Sequence, residues 1–374
     1  MKSFNVEICD VTLRDGEQTP GVSFTFEEKQ EIANILDQIG IEVIEAGFPI
    51  VSNYEKECVR GIARSGLNAK ICCLARARQA DIEAAIDSEV DMVSVFIATS
   101  DLHIRHKYKK PREEVLLDAL AMIDFTRDHG LLVRFAAEDA SRTEISFLKE
   151  VFKKGAEHGA DYLSFADTVG CLTPYEMSEV MHDLVQSIPA PLCAHCHNDL
   201  GCATANTICA ANAGAFQLHT TVNGIGERAG NAPLEEVLSI LNLKCDVTKY
   251  DLSLLIKLSK LVEKHSGIPV AKTKPIVGEH AFAHESGIHI AAILEDPRTY
   301  EFIPPKLVGG ERHFLLGKHT GKHALEYVVN TFGYHLEEDQ ICWVLDRVKK
   351  LGERKCSIND ELLRTLIGEA ERRY

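Results

Sequence analysis

Eight times in its first two-thirds this chain passes from a short apolar, β-prone run into a helical stretch, and few folds accommodate that rhythm. The strand candidates lie at 4–9, 41–46, 70–74, 91–98, 131–137, 161–166, 192–197 and 216–221. The first helix carries its own punctuation. Thr25 and Glu28 can cap each other's backbone amides, Ile32, Ile35, Leu36 and Ile39 recur at helical spacing, and Gly40 suits a left-handed stop. Thr173-Pro174 opens another helix with a cap and an N-terminal proline, and His129-Gly130 closes one with a cation and a glycine. Eight βα units within about 245 residues predict an α/β fold, a closed (βα)8 barrel. An open doubly wound sheet fits less well, because no glycine-rich phosphate loop follows the first strand. Polar clusters also fall where strands end, at Arg14-Asp15, Glu138-Asp139, Asp167-Thr168, His195/His197 and Asn223. That is the end at which such barrels do chemistry.

After Gly267 the rhythm stops. Pro269, Pro275, Pro297, Pro304 and Pro305 punctuate a stretch too irregular for further βα units, and helical patterns resume at 323–329, 337–351 and 359–370. The expected organisation is a catalytic barrel over 1–267 and a mostly helical C-terminal extension over 268–374. With 41 basic against 56 acidic side chains the chain carries a net charge of −15, whose average field repels nucleic acid. The N-terminus shows no basic-then-apolar secretory pattern, and no apolar run approaches the roughly 18 residues of a membrane span. Twelve cysteines scattered through apolar segments read as reduced thiols, which suits a cytoplasmic protein.

Four constellations could carry chemistry. Thr12-Leu13-Arg14-Asp15-Gly16-Glu17-Gln18 packs two acids, an arginine and an amide just after the first strand. Cys193-Ala194-His195-Cys196-His197-Asn198-Asp199 sets two imidazoles at i and i+2, on one face of a strand. Asn223 to Asn231 forms a glycine-rich charged loop after the eighth strand, and His284-Glu285-Ser286-Gly287-Ile288-His289 lies beyond the barrel, with Tyr300 further on. Paired strand histidines alone are more often structural than ligating. Asp15 at another strand end of the same barrel mouth favours a two-histidine, one-acid site for a divalent ion, with positions open for substrate. Two other patterns point elsewhere. Cys193-x-x-Cys196-His197 matches haem attachment literally but sits on an expected interior strand. Gly317-Lys318-His319-Thr320-Gly321-Lys322 has the wrong spacing for a phosphate loop, and a turn with solvated lysines explains it as well.

Together, Arg14-Asp15-Gly16-Glu17-Gln18, His195-x-His197-Asn198-Asp199 and Asn223-Gly-x-Gly-Glu-Arg-x-Gly-Asn231 resemble the acyl-CoA condensing enzymes of the DRE-TIM metallolyase superfamily. That group includes isopropylmalate, citramalate and homocitrate synthases. The resemblance runs from the first strand to about Leu351 and implies a TIM barrel holding a divalent metal cation (Zn, Mn, Mg or Co) through Asp15, His195 and His197, with Asn231 a possible further ligand. It implies acetyl-CoA and a 2-oxo acid as co-substrates. Arg14 would stabilise the developing oxyanion, Glu138 and His289 would relay the proton with Tyr300 assisting, and Gln18, Thr168 and Arg76 would contact substrate. It also implies a homodimer in which the segment carrying His289 and Tyr300 reaches the partner's barrel.

No C-terminal regulatory domain of the isopropylmalate and citramalate synthase kind is expected, and the short architecture resembles homocitrate synthases. Glu45-Ala46-Gly47-Phe48-Pro49-Ile50-Val51-Ser52 and Phe96-Ile97-Ala98-Thr99-Ser100 look closest to the methanogen kind. Arg134, on the fifth strand where lysine-pathway homocitrate synthases have arginine, could bind the distal carboxylate of 2-oxoglutarate bidentately. Opposite an isopropyl tail it would be a buried unpaired cation. The expected reaction is therefore a Claisen condensation giving homocitrate and CoA. Oxaloacetate, pyruvate and 2-oxoisovalerate remain alternative acceptors, and a carbon–carbon lyase of the same superfamily is the alternative of a different class. Two positions depart from the lysine-pathway pattern: Ala136 replaces a serine, and Arg76 lies near where that pattern has a strand-three histidine.

Overall fold

The computed structural model describes residues 4–374 and divides into two compact units, the first ending at Val270 and the second spanning Ala271–Tyr374. In the first, eight parallel strands close into a barrel: β1 (Glu7–Asp10), β2 (Val43–Glu45), β3 (Lys70–Arg76), β4 (Met92–Ala98), β5 (Leu132–Glu138), β6 (Tyr162–Asp167), β7 (Leu192–Cys196) and β8 (Gln217–Thr220). Closure is direct, because Cys9 pairs with His219 on one side of β1 and with Val43 on the other. Each expected run coincides with a strand whose ends shift by at most three residues, since strand ends depend on cross-strand partners that a local pattern does not contain. His197 is one such case. It lies just past β7 and makes an isolated antiparallel bridge with Asn231.

The helix Phe26–Ile39 begins with the Thr25/Glu28 capping box and ends at Gly40 in the left-handed region. The helix Pro174–Ser187 has the same reciprocal box between Thr173 and Glu176. Its apolar face, with Met177, Met181 and Leu184 buried, covers the barrel's outside. Inside, Cys9, Val43, Cys72, Met92 and Cys193 belong to one buried cluster. The residues that line the cavity lie above it, toward the strands' C-terminal ends.

The second unit contains the helices Lys322–Thr331, Glu338–Glu353 and Asp360–Arg373, packed around Leu325, Ile341, Val344, Val348, Leu363 and Ile367. Two of its features have no counterpart in the sequence pattern. A short parallel pair joins β9 (Ala283–His284) to β10 (His313–Phe314), and the helix Gly287–Glu295 carries His289. Two-residue strands and a nine-residue helix are too short for their periodicity to stand out. No helix among the described residues is long and apolar enough to cross a membrane.

Candidate active site

Side chains alternate along a strand, so every second residue near a barrel's mouth points inward. Ser94 and Phe96 from β4, Arg134, Ala136 and Glu138 from β5, Ser164 and Ala166 from β6, and His195 from β7 accordingly share one cavity of about 240 Å³. Arg14, Asp15 and Gln18 enter it from the loop after β1, and Thr168 and His197 from just beyond β6 and β7. Residues far apart in sequence thus meet at one place.

Asp15, His195 and His197 converge. Asp15 Oδ2 lies 3.4 Å from His195 Nε2 and 3.7 Å from His197 Nε2, and the two ring nitrogens are 3.2 Å apart. All three residues are buried, and Asp15 Oδ2 has no well-directed hydrogen-bond donor among the described residues. The Nδ1–H of His197 donates to the carbonyl of Gly230 at 3.2 Å, which leaves Nε2 as a lone-pair donor facing the carboxylate. Burial, and then the neighbouring His195, lowers the His197 pKa to about 4, so its ring is neutral. Burial alone would raise Asp15, but Arg14 and the two imidazoles outweigh it and hold the carboxyl well below its ordinary range. A buried carboxylate and two imidazoles aimed at one point fit a divalent ion. Asn231 is also buried, with Nδ2 donating to Ile225 O at 3.2 Å and Oδ1 unpartnered among the described residues. It does not line the cavity.

Arg14 reaches Glu45, Gln18 Oε1 (3.2 Å) and Asp15 Oδ1 (3.3 Å). Glu138 is gripped by Lys107, whose Nζ donates to both carboxylate oxygens at 2.7 Å, and His103 Nδ1 stands 3.5 Å away. Lys107 belongs to Ile104–Tyr108, a π-helical turn after β4. Arg142 pairs with Asp139, not with Glu138. Asp139 is buried at φ 60°, held by Arg142, by Ser100 and by its own N–H donating to Thr168 Oγ1 at 2.8 Å. That clamp fixes the turn leaving Glu138.

Two expectations need correction. Arg76 does not line the cavity: its guanidinium is held by Asp81, with Nε at 2.8 Å and Nη2 at 3.0 Å, at the start of the next helix. Arg134 does line it but is not an unpaired cation, because Glu45 from β2 forms a buried ion pair with it. Reading the sequence alone gives Glu45 no role at the site. Its signal is a carboxylate ending an apolar strand, on the inward face with Val43. His219, inward on β8 and 3.1 Å from Arg134, is likewise missed, and burial pushes its pKa well down. The two other patterns resolve simply. Cys193 and Cys196 are buried thiols in the barrel wall, unsuited to haem attachment. The turn over 317–320 receives Glu285, whose carboxylate accepts from His319 N–H at 3.3 Å. In the second unit, the His289 and Tyr300 rings stack with centroids 4.0 Å apart, and His284 Nε2 lies 3.6 Å from Glu301.

The profile of the HMGL-like family matches residues 5–262, and that of the homocitrate synthase post-HMGL domain matches 276–356. The chain belongs to the HMGL-like family. It is 51% identical over 370 residues to homocitrate synthase AksA of Methanosarcina acetivorans, covering 98% of this chain and 91% of that protein. It is 47% identical over 367 residues to 2-isopropylmalate synthase of Methanocaldococcus jannaschii, covering 97% of this chain and 71% of that protein. The HMG-CoA lyase of Bacillus subtilis shares the fold, with a TM-score of 0.66 at 23% identity over 72% of this chain and 97% of that one. These relationships make the chain an acyl-CoA condensing enzyme, a homocitrate synthase-like acyltransferase, with Asp15, His195 and His197 as its metal-binding triad.

Proposed function

We propose that this enzyme condenses acetyl-CoA with 2-oxoglutarate to give homocitrate and CoA. The observation that carries the reading is the convergence of Asp15, His195 and His197 beside Arg14, Gln18 and Glu138 in one cavity, in a chain 51% identical to homocitrate synthase AksA. Asp15, His195 and His197, with Asn231 as a further donor, would hold a zinc, manganese, magnesium or cobalt ion. When bound, it supplies Lewis-acid polarisation of the 2-oxo acid's keto group.

The chain's own residues supply the rest. Arg14 directs N–H donors at the oxygen that becomes an alkoxide. Gln18 and Thr168 orient the acid. Glu138, held in place by Lys107, takes a proton from the acetyl methyl group, and His289 with Tyr300 completes the relay. The methyl carbon bonds to the keto carbon, the alkoxide gains a proton, and water cleaves the thioester to release CoA. The sequence resemblance supports a homodimer in which the C-terminal segment serves the partner's barrel. Twelve unbridged cysteines support a reducing, cytoplasmic setting.

A specific observation also favours 2-oxoisovalerate as acceptor: Leu74, Phe96, Ala136 and Ala166 give the same cavity an apolar wall. Incubating the metal-loaded enzyme with acetyl-CoA and a panel of 2-oxo acids, while following free thiol, tests both. Fastest release with 2-oxoglutarate is the expected result, and no release with any acid refutes the condensation. A parallel assay for cleavage of the condensed product identifies a lyase.

A further inference from the structure

Glu45 ends β2 fully buried and divides its carboxylate between two cations. Oε1 accepts the Nε–H of Arg14, and Oε2 accepts an N–H from Nη2 of Arg134. The other donors of Arg134 are largely engaged as well. Its Nε–H goes to Ser94 Oγ at 3.1 Å, while Nη1 faces Cys9 Sγ at 3.0 Å and both Gln217 Oε1 and His219 Nε2 at 3.1 Å. A guanidinium has five N–H groups in fixed forks, and here one, on Nη2, is left over. A carboxylate entering the cavity can take that single bond but not a two-point grip. The charge it meets is already offset at contact distance by Glu45.

The geometry points to Glu45 as a specificity-determining residue that masks Arg134. With the mask in place, the cavity distinguishes only weakly between 2-oxo acids whose tails end in a carboxylate and those whose tails are apolar. The apolar tail meets Leu74 and Phe96, and the carboxylate meets one N–H with the hydroxyls of Ser94 and Ser164. Removing the charge of Glu45 exposes the guanidinium and makes the enzyme a diacid selector. The substrate class in this inference rests on the condensation proposed above.

The test compares kcat/KM for 2-oxoglutarate and 2-oxoisovalerate by thiol release. In the unmodified enzyme the ratio is expected to lie within about 100-fold of unity, and a larger preference in either direction overturns the mask. In Glu45→Gln the ratio is expected to move toward 2-oxoglutarate by at least about tenfold, through a lower KM for the diacid. An unchanged ratio, or a move toward 2-oxoisovalerate, overturns it. Should Glu45→Gln fail to fold, Glu45→Asp withdraws the carboxylate by one methylene and should shift the ratio the same way by less. Calorimetric binding of the two acids in the absence of acetyl-CoA separates this inference from the reaction itself. Tighter 2-oxoglutarate binding to the variant, by about tenfold, supports the mask even if no acid releases thiol, and equal affinity overturns it even if condensation proceeds.

Discussion

Asp10 shows how one buried carboxyl shapes the response of a barrel to pH. Its Oδ1 accepts the Thr12 N–H at 3.0 Å, and its Oδ2 has no hydrogen-bond partner among the described residues. Burial raises its pKa from 3.8 to about 7, with Glu235 adding to the rise. The folded chain therefore keeps a proton that the unfolded chain gives up near its ordinary pKa. That contribution is complete below about pH 3.8 and is lost as pH climbs through about 7. Asp10→Asn keeps the acceptor for Thr12 and never ionises. It should raise stability at pH 8, read from denaturant unfolding, by on the order of a few kcal/mol, and flatten the fall between about pH 4 and pH 7. A denaturant midpoint below that of the parent at pH 8 would refute this account. At Asp15 the balance is opposite, since Arg14 and the imidazoles outweigh burial and keep the carboxylate charged. Asp15→Asn should strip most of the bound divalent ion, measured by elemental analysis after dialysis, and slow thiol release by about 10²-fold or more. Full metal content in that variant would remove Asp15 from the ligand set.

Among elements, the loop from Asn223 to Asn231 most directly couples backbone to site. Gly230 sits at φ +80°, and a Cβ there would come 1.8 Å from Gly224 O. The same residue's carbonyl receives the His197 Nδ1–H and the Asn198 N–H, so its position sets the imidazole's orientation. Gly230→Ala should weaken divalent-ion binding by about tenfold or more while the barrel stays folded, as equilibrium dialysis and far-ultraviolet circular dichroism would report together. Unaltered affinity would mean that the loop only covers the site. The legibility of elements follows the same physics. The capping boxes at Thr25 and Thr173 can be read directly, because a cap is satisfied within four residues of chain. The strand pair at Ala283 and His313 cannot, because neither partner carries a pattern without the other.

For the whole molecule, the proposed exchange of the segment carrying His289 and Tyr300 between the barrels of a homodimer can be tested directly. Chains carrying Asp15→Asn and chains carrying His289→Ala should each be inactive. If segments are exchanged in a homodimer, mixing the two after mild dissociation should restore about a quarter of the parent activity, since about half of the dimers would regain one complete site. No recovery, with heterodimers demonstrated by mass, would refute the exchange.

The barrel and the histidine pair of the metal triad are legible without coordinates because their determinants are local, whereas Asp15, far earlier in the chain, joins them only through the strand-end position that a closed barrel gives it. A strand-and-helix period, a cap and two histidines on one strand face all lie within a few residues of one another. The state of Arg134 is not. Glu45, its partner, stands 89 residues away on another strand, and only closure of the barrel brings the two together in a buried space. A lone arginine on a strand looks like a free cation. Whether it is one depends on which carboxylate the opposite wall presents, and that is a property of the closed sheet that no short stretch of chain contains.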